Sequence, residues 1–241
     1  VTAKNIARAL GIGYTKSPGK FDIVVVRYGY SRKHIRDFAL NTAPAVNLAS
    51  DGLKSLQVLH EKGVPCVEPV INPGREDYPL VGRKLRNHVA GKTLSVLTQP
   101  PEESFEESFK YYTRYREISK EFRVHVFNSR VLKAFRKVPR AENPHPKIRT
   151  SQRGWGYKKV NWSKYYAAGT EVAVLAVQTL GLTYAGVDMA KGKDGSWFVI
   201  EVNTGPALNS KTLPLYASRF NAHLLNLQAT GKILYREVYN E

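Results

Sequence analysis

Cysteine is all but missing from this chain of 241 residues. Cys66 stands alone, so no internal disulfide can staple the fold; this suits a reducing compartment, and a cytoplasmic location is expected. Long apolar runs are missing too: none approaches the roughly 18 residues that cross a bilayer, so no membrane span is expected. The first residues lack the charged-then-apolar order of a secretory leader. Six histidines are scattered at His34, His60, His88, His125, His145 and His223. None sits at metal-binding spacing from another or from Cys66, which argues against a zinc site. Neither G-x-S-x-G nor G-x-x-x-x-G-K followed by Ser or Thr occurs, so neither a serine-hydrolase elbow nor a Walker-type phosphate loop is signalled. No internal repeat or low-complexity tract is present.

Acidic residues are scarce as well. Asp and Glu number 20 against 37 Lys and Arg, a net charge of +17. The imbalance is concentrated between Lys110 and Lys164, where sixteen basic residues face three acids, Glu117, Glu121 and Glu142. A single-sign field of this kind concentrates an oppositely charged partner, an acidic peptide or protein tail or a nucleic acid. Trp155, Tyr157, Trp162, Tyr165 and Tyr166 are interleaved with the cations and slightly favour nucleic acid through stacking. A basic surface serving only solubility is the competing reading.

Hydrophobic residues make up 42% of the chain, enough for one large domain or two to three small lobes. Ile6 to Leu10 reads as a short helix closed by Gly11. Phe21 to Arg27 reads as a buried strand, and residues 41–50 as a loop leading into a helix. Asp51 to Glu61 has helical spacing, with Asp51 as N-cap and Gly63 as stop. Strands are expected at Val67–Val70, Tyr78–Lys84 and Phe109–Tyr115, with an acidic helical piece at Glu102–Glu107. Glu121 to Arg136 alternates as a hairpin around Asn128-Ser129, and puts Arg123, His125 and Phe127 on one face. Ser163 to Leu180 is helical by spacing and capped by Gly181, and Leu213 to Leu227 looks helical.

The most informative stretch is GLTYAGVDMAKGKDGSWFVIEVNTGPALNS, Gly181 to Ser210. Asp194-Gly195 is a strong signal for a two-residue hairpin turn, whose central positions both want φ > 0. Lys193 then faces Ser196, Met189 faces Ile200 and Val187 faces Val202. On the other side Asp188 lies directly opposite Glu201, and Asn203 follows on the same face. Two carboxylates about 4 Å apart repel by roughly 1 kcal/mol in water and about 4 kcal/mol at an effective dielectric of 20. A hard cation reverses that sign, and Asp, Glu and an Asn oxygen are the ligands that suit Mg²⁺ holding phosphates. A solvated strand face with two incidental acids is the alternative.

GLTYAGVDM followed by WFVIEVNTGPAL resembles the C-terminal signature of the ATP-grasp superfamily, and most the carboxylate–amine ligases that include the ribosomal-protein glutamate ligases. The resemblance implies an α+β fold of two lobes clamping ATP, behind a short N-terminal α/β piece, divided as residues 1–47, 48–118 and 119–241. It implies that Asp188, Glu201 and Asn203 bind two Mg²⁺ ions bridging the ATP phosphates. It continues upstream in Asn41, Ala45, Asp51, Ser55-Leu56-Gln57 and Gly63-Val64-Pro65. There the family's phosphate-reaching lysine falls on Gly52, and that role is not carried to Lys54, which a helix turns about 200° away. YPLVGRK resembles the strand that ends in a nucleotide-binding lysine; Arg83 takes that place, beside Lys84, ahead of a loop with one glycine at residues 87–92. An ordinary basic hairpin is the other reading of this piece.

Phe109–Tyr115 falls where the family places its adenine hinge. EFRVHVFNSRVLKAFR is similar to the family's arginine hairpin, which implies Arg123 and Arg136 at the γ-phosphate and acyl-phosphate. Arg149 to Gly154 falls on a loop that closes over substrate, with Ser151 in place of an Asn. The implied reaction activates a small-molecule or peptide carboxylate with ATP, for attack by an amine or another nucleophile. A basic nucleic-acid-binding module without ligase activity is the alternative, and a kinase-like phosphotransferase a third reading.

Overall fold

The computed structural model describes residues 2–11, 25–26, 39–84, 94–100, 109–162 and 166–230. Helix α1, Thr2–Leu10, ends at Gly11, whose φ of 65° closes the last turn. Strands β1, Val25–Val26, and β2, Ala39–Leu40, pair in parallel. The rest of the Phe21–Arg27 run, the 87–92 loop, the Glu102–Glu107 piece and Tyr165 lie outside the described residues.

Residues 41–50 are not a loop. Ala43–Ser50 form helix α2, which buries Ala43, Ala45, Val46 and Ala49. Pro44 misled the reading: in the first helical turn its missing N–H has no intrahelical partner to lose. Asp51 ends α2 and starts α3, Gly52–Glu61, accepting a hydrogen bond from Lys54 N at 3.1 Å. Gly63, at φ 72°, closes α3 as expected.

A four-stranded antiparallel sheet follows, in the order β3-β6-β4-β5, from β3 Pro69–Val70, β4 Leu80–Arg83, β5 Leu94–Leu97 and β6 Tyr111–Arg114. A five-stranded antiparallel sheet, in the order β11-β10-β7-β8-β9, takes in β7 Ile118–Phe127, β8 Arg130–Pro139, β9 Trp155–Lys159, β10 Tyr184–Gly192 and β11 Trp197–Asn203. Helix α4, Ala167–Thr179, precedes β10, and α5, Leu213–Ala229, follows β11. One core gathers Phe122, Val124, Val187, Met189 and Val202 from the sheet with Ala173, Ala176 and Val177 of α4 and Leu53, Leu56 and Leu59 of α3. A second joins Ile6, Phe127 and Tyr184 to Tyr216 and Phe220 of α5, and a third, of Val70, Leu80, Phe109 and Tyr112, supports the smaller sheet.

Two connections place the smaller sheet beside β11. Val67 N donates to Val199 O, and Val199 N to Pro65 O, both at 2.8 Å, which pairs the edge of β11 with the segment leading into β3. The loop between β8 and β9 reaches across, with Arg153 Nη2 donating to Leu94 O at 3.0 Å. At the other end of the molecule Asn41, at φ 58° and buried, donates to Tyr184 O at 2.9 Å and accepts from Thr183 N at 2.8 Å. That side chain fixes the first residue of β10 to the N-terminal piece.

His125, on β7, is buried with Nδ1 3.0 Å from Tyr216 Oη. Burial, helped by the nearby Arg123 charge, pushes its pKa down to about 4. The fold therefore refuses a proton that the unfolded chain accepts at about 6.5. Stability should fall as pH drops from about 6.5 to 4, by about 3 kcal/mol in all. His125→Phe should flatten this part of the Tm-against-pH curve; curves that run parallel for both proteins would show that His125 is not the cause.

Candidate active site

The β10–β11 hairpin brings the paired carboxylates together, by a route different from the expected one. The loop has three residues, not two: Gly192 N donates to Ser196 O, and only Gly195 takes a left-handed conformation, φ 86°. That extra residue shifts the register, so Met189 faces Val199 and not Ile200, and Lys191 faces Trp197. A bulge at Ile200 then restores the count, and Asp188 lies opposite Glu201, Val187 opposite Val202 and Gly186 opposite Asn203. Loop and bulge offset each other.

Gly186 is small for a reason. A Cβ there would stand 2.7 Å from Pro206 Cβ and 3.2 Å from Arg123 Cδ. The glycine lets the Pro206 loop fold over the strand and the Arg123 stem pass alongside. Arg123, opposite Asp188 on β7, holds both oxygens of the Asp188 carboxylate, through Nε and, at 2.6 Å, through Nη2. Burial opposes the Arg123 charge, but the Asp188 carboxylate outweighs it and raises the guanidinium pKa further.

Arg136 does not join this group. A plain two-residue turn at Asn128-Ser129 would set Arg136 opposite Glu121, on the Arg123 side. The turn is present, with φ 45° and 59°, but a bulge at Leu132 moves the register by one. Arg136 then pairs with Phe122, on the core side. Lys137 takes the vacated place and forms an ion pair with Glu121 in which both side chains are about nine-tenths buried. Burial raises the Glu121 pKa, while Lys137, with Glu121 and Asp188 outweighing its own burial, keeps its proton. Tyr157 of β9 completes the row, its ring centroid 5.8 Å from the Arg123 guanidinium and 6.0 Å from Lys137 Nζ. Sequence reading missed Lys137 because alternation beyond the unseen bulge points to Arg136 instead.

From the smaller sheet, Arg83 reaches the same place. It pairs with Tyr111 on β6, and its guanidinium lies 5.6 Å from that ring. The Tyr111 pKa is raised, by burial first; Arg83 opposes the shift, and the Glu201 and Asp51 carboxylates add to it. These four side chains thus share one electrostatic neighbourhood between the sheets. Arg83 is buried, and its Nε has no hydrogen-bond partner among the described residues. Lys84, one residue on, alternates away and packs on the Phe109 ring at 5.6 Å, so the structure does not bring it to the group. Lys54 is exposed, in keeping with its exclusion.

Asn203 Nδ2 is also buried without a hydrogen-bond partner among the described residues. A buried amide left unsatisfied beside two carboxylates fits a site that takes its remaining bonds from outside the chain. No cluster of three or more His, Cys, Asp and Glu occurs among the described residues. Two carboxylates and an amide oxygen are a partial shell, which suits Mg²⁺ because that ion keeps waters and takes substrate phosphates rather than an all-protein cage. No helix among the described residues is long and apolar enough to cross a membrane.

No family model matches the chain. A probable alpha-L-glutamate ligase of Cellvibrio japonicus (strain Ueda107) is 31% identical over 219 residues, covering 78% of this chain and 70% of the relative. The chain belongs to the ATP-grasp carboxylate–amine ligases. A second probable alpha-L-glutamate ligase, of Rhodopirellula baltica, is 30% identical over 193 residues, 71% of this chain. The chain spans only 45% of that relative's length. Among solved structures, D-alanine–D-alanine ligase from Bacillus anthracis superposes with a TM-score of 0.59 at 16% identity, covering 77% of this chain and 68% of that one. The ATP-grasp ligase PsnB, solved with a phosphomimetic precursor, Mg and ADP, gives 0.56 at 14% identity over 76% of this chain and 62% of that one. In this ATP-grasp chain Arg83 and Tyr111 of the smaller sheet and Asp188, Glu201 and Arg123 of the larger one share one electrostatic neighbourhood.

Proposed function

We propose that the chain activates a substrate carboxylate with ATP, giving an acyl-phosphate and ADP, and that an amine then displaces the phosphate to form an amide. The observation that carries this reading is the set of Asp188, Glu201 and Arg123 on three adjacent strands, faced by Arg83 from the other sheet. Asp188, Glu201 and the Asn203 oxygen would hold Mg²⁺, as two ions. The metal supplies charge neutralisation on the transferring phosphoryl group. Arg83 holds an α- or β-phosphate through a planar fork in place of a lysine's point charge. Arg123 orients Asp188 and presents its remaining donors to the γ-phosphate and the acyl-phosphate, where preorganised charge lowers the barrier. No side-chain nucleophile is required.

The names of the two relatives support glutamate as one reactant. The test is product analysis with Mg·ATP, L-glutamate and a panel of amine acceptors, glutamate-ended peptides among them. The expected result is equal ADP and phosphate with a new amide in the mass spectrum. ADP with a phosphorylated product points to a kinase, and no ADP with any acceptor returns the chain to a binding module.

Arg83→Ala should weaken nucleotide binding by about 1.5–3 kcal/mol, roughly ten- to a hundredfold in Kd. Calorimetric titration with Mg·ADP measures it, and an unchanged affinity removes Arg83 from the site.

A further inference from the structure

The loop between β8 and β9, residues 140–154, is folded around one side chain. Its ends are closed by Gly154 O, which accepts from Arg140 N at 2.8 Å and from Ala141 N at 3.1 Å. Inside it, His145 bonds through its ring and through both of its main-chain groups. The ring Nδ1 accepts from Ile148 N at 2.9 Å and from Lys147 N at 3.2 Å. The main-chain N donates to Arg153 O at 3.0 Å, and the main-chain O accepts from the Trp155 ring N–H at 2.9 Å. A ring nitrogen that accepts from two N–H groups carries no proton of its own, so the neutral ring keeps its proton on Nε2. Two loop amides thus depend on an uncharged His145.

The same loop is fastened to the strand beside Arg83. Arg153, whose carbonyl is bonded to His145 N, ends a short 3₁₀ turn, Ser151–Arg153, and its Nη2 donates to Leu94 O of β5 at 3.0 Å. Leu94 lies directly opposite Arg83 of β4. A second arginine ties the loop to the larger sheet. Arg149 lies over the Trp155 ring at 4.8 Å, and its Nη2 donates to the carbonyl of Ile118, the first residue of β7, at 2.8 Å. What His145 holds in shape is therefore the piece of chain that joins the β4–β5 pair to the sheet carrying Asp188 and Arg123.

We propose that His145 is a positioning residue: it keeps the β8–β9 loop in the form from which Arg153 braces the strand beside Arg83, and its protonation releases that brace. A proton on Nδ1 points at the two N–H groups it must otherwise accept, and both lose their partner. The surroundings favour the neutral ring. The charged groups acting on it are cations, Arg153 of the 3₁₀ turn and Lys147 of the loop, no carboxylate is among them, and β9 sets the uncharged Trp155 ring against it. Burial first, and then these two cations, lower its pKa. The folded loop therefore refuses a proton that the opened loop accepts at about 6.5, so the brace is complete near neutral pH and weakens as pH falls below about 6.5. The consequence for ligand binding rests on the reading of Arg83 as a phosphate ligand: a loosened β5 leaves Arg83 less well placed, and nucleotide affinity falls with the brace.

The test pairs two measurements between about pH 5.5 and about pH 7.5. Hydrogen exchange of peptides covering residues 146–154, corrected for the intrinsic rate at each pH, reads the loop, and calorimetric titration with Mg·ADP reads the consequence. In the unaltered protein, loop protection should fall and the Mg·ADP Kd should rise about three- to tenfold toward low pH, the scale of one lost hydrogen bond. His145→Asn sets an oxygen where Nδ1 stands, accepts from the same two N–H groups without titrating, and should flatten both curves. His145→Phe should show the open loop and the weaker Kd at every pH. Arg153→Met should raise the Kd at every pH while the Lys147 and Ile148 amides stay protected. The pH response of His125 is common to all these variants, so it cancels in the comparison. Loop protection that falls as steeply in His145→Asn as in the unaltered protein overturns the proposal, and so does a loop that opens while the Mg·ADP Kd stays constant. If Mg·ADP binds at no pH, the nucleotide reading fails on its own, and the exchange of His145→Asn against the unaltered protein still decides whether His145 holds the loop.

Discussion

Glu201→Gln should lower ADP formation by about 10²–10³-fold, the scale on which one preorganised electrostatic group contributes to such a step. The substitution keeps the side chain's size and removes one charge from the Asp188 pair. In the absence of nucleotide the protein should melt at a similar temperature, because Arg123 already offsets the Asp188 charge that Glu201 faces. The Tm rise produced by Mg·ADP should shrink, since a ligand stabilises only as far as it binds. Near-normal turnover together with an undiminished Mg·ADP shift would remove Glu201 from the metal shell.

Lys137→Met should be the most damaging single change to stability. Glu121 and Lys137 are about nine-tenths buried and paired. Removing the lysine leaves a carboxylate that must either stay charged in the interior or take up a proton. Breaking such a pair costs about 3–5 kcal/mol. The burial that raises the Glu121 pKa sets the pH sense. Without Lys137 the neutral acid is the tolerated form, so the variant should be least stable at neutral pH and recover part of the loss as pH falls toward the ordinary carboxylate range. Glu121→Gln/Lys137→Met should regain much of the stability, and the double-mutant cycle measures the coupling. A single variant as stable as the unaltered protein at pH 7 would mean that the pair is solvated in solution.

Much of this was legible in the sequence, and the illegible part has a common cause. The Asp51 cap, the Gly63 stop, the Asn128-Ser129 turn and the Asp188/Glu201 pairing are set by short-range chemistry that residue types announce. Helix α2 was missed because Pro44 breaks helices in the interior and tolerates their first turn, and the sequence does not say which it occupies. The two bulges carry no residue signature: Leu132 and Ile200 are ordinary strand residues. At Ile200 the bulge cancelled a misjudged loop and left the expected carboxylates facing each other. At Leu132 nothing cancelled it, and the expected Arg136 gave way to Lys137.

Asn41 has a consequence in time. Its side-chain amide bonds to Tyr184, 143 residues along the chain. During synthesis at about 5–20 residues per second, its partner emerges roughly 7 to 30 s later. Until then the N-terminal piece has no strand to close on, and Ile6 and Leu40 wait for Tyr184, Tyr216 and Phe220 to complete their cluster. Bringing such distant segments together pays loop-closure entropy before any contact returns it, which slows folding. A ribosome-bound chain halted before residue 183 should therefore be protease-sensitive at its N-terminal end, and one released after α5 should not.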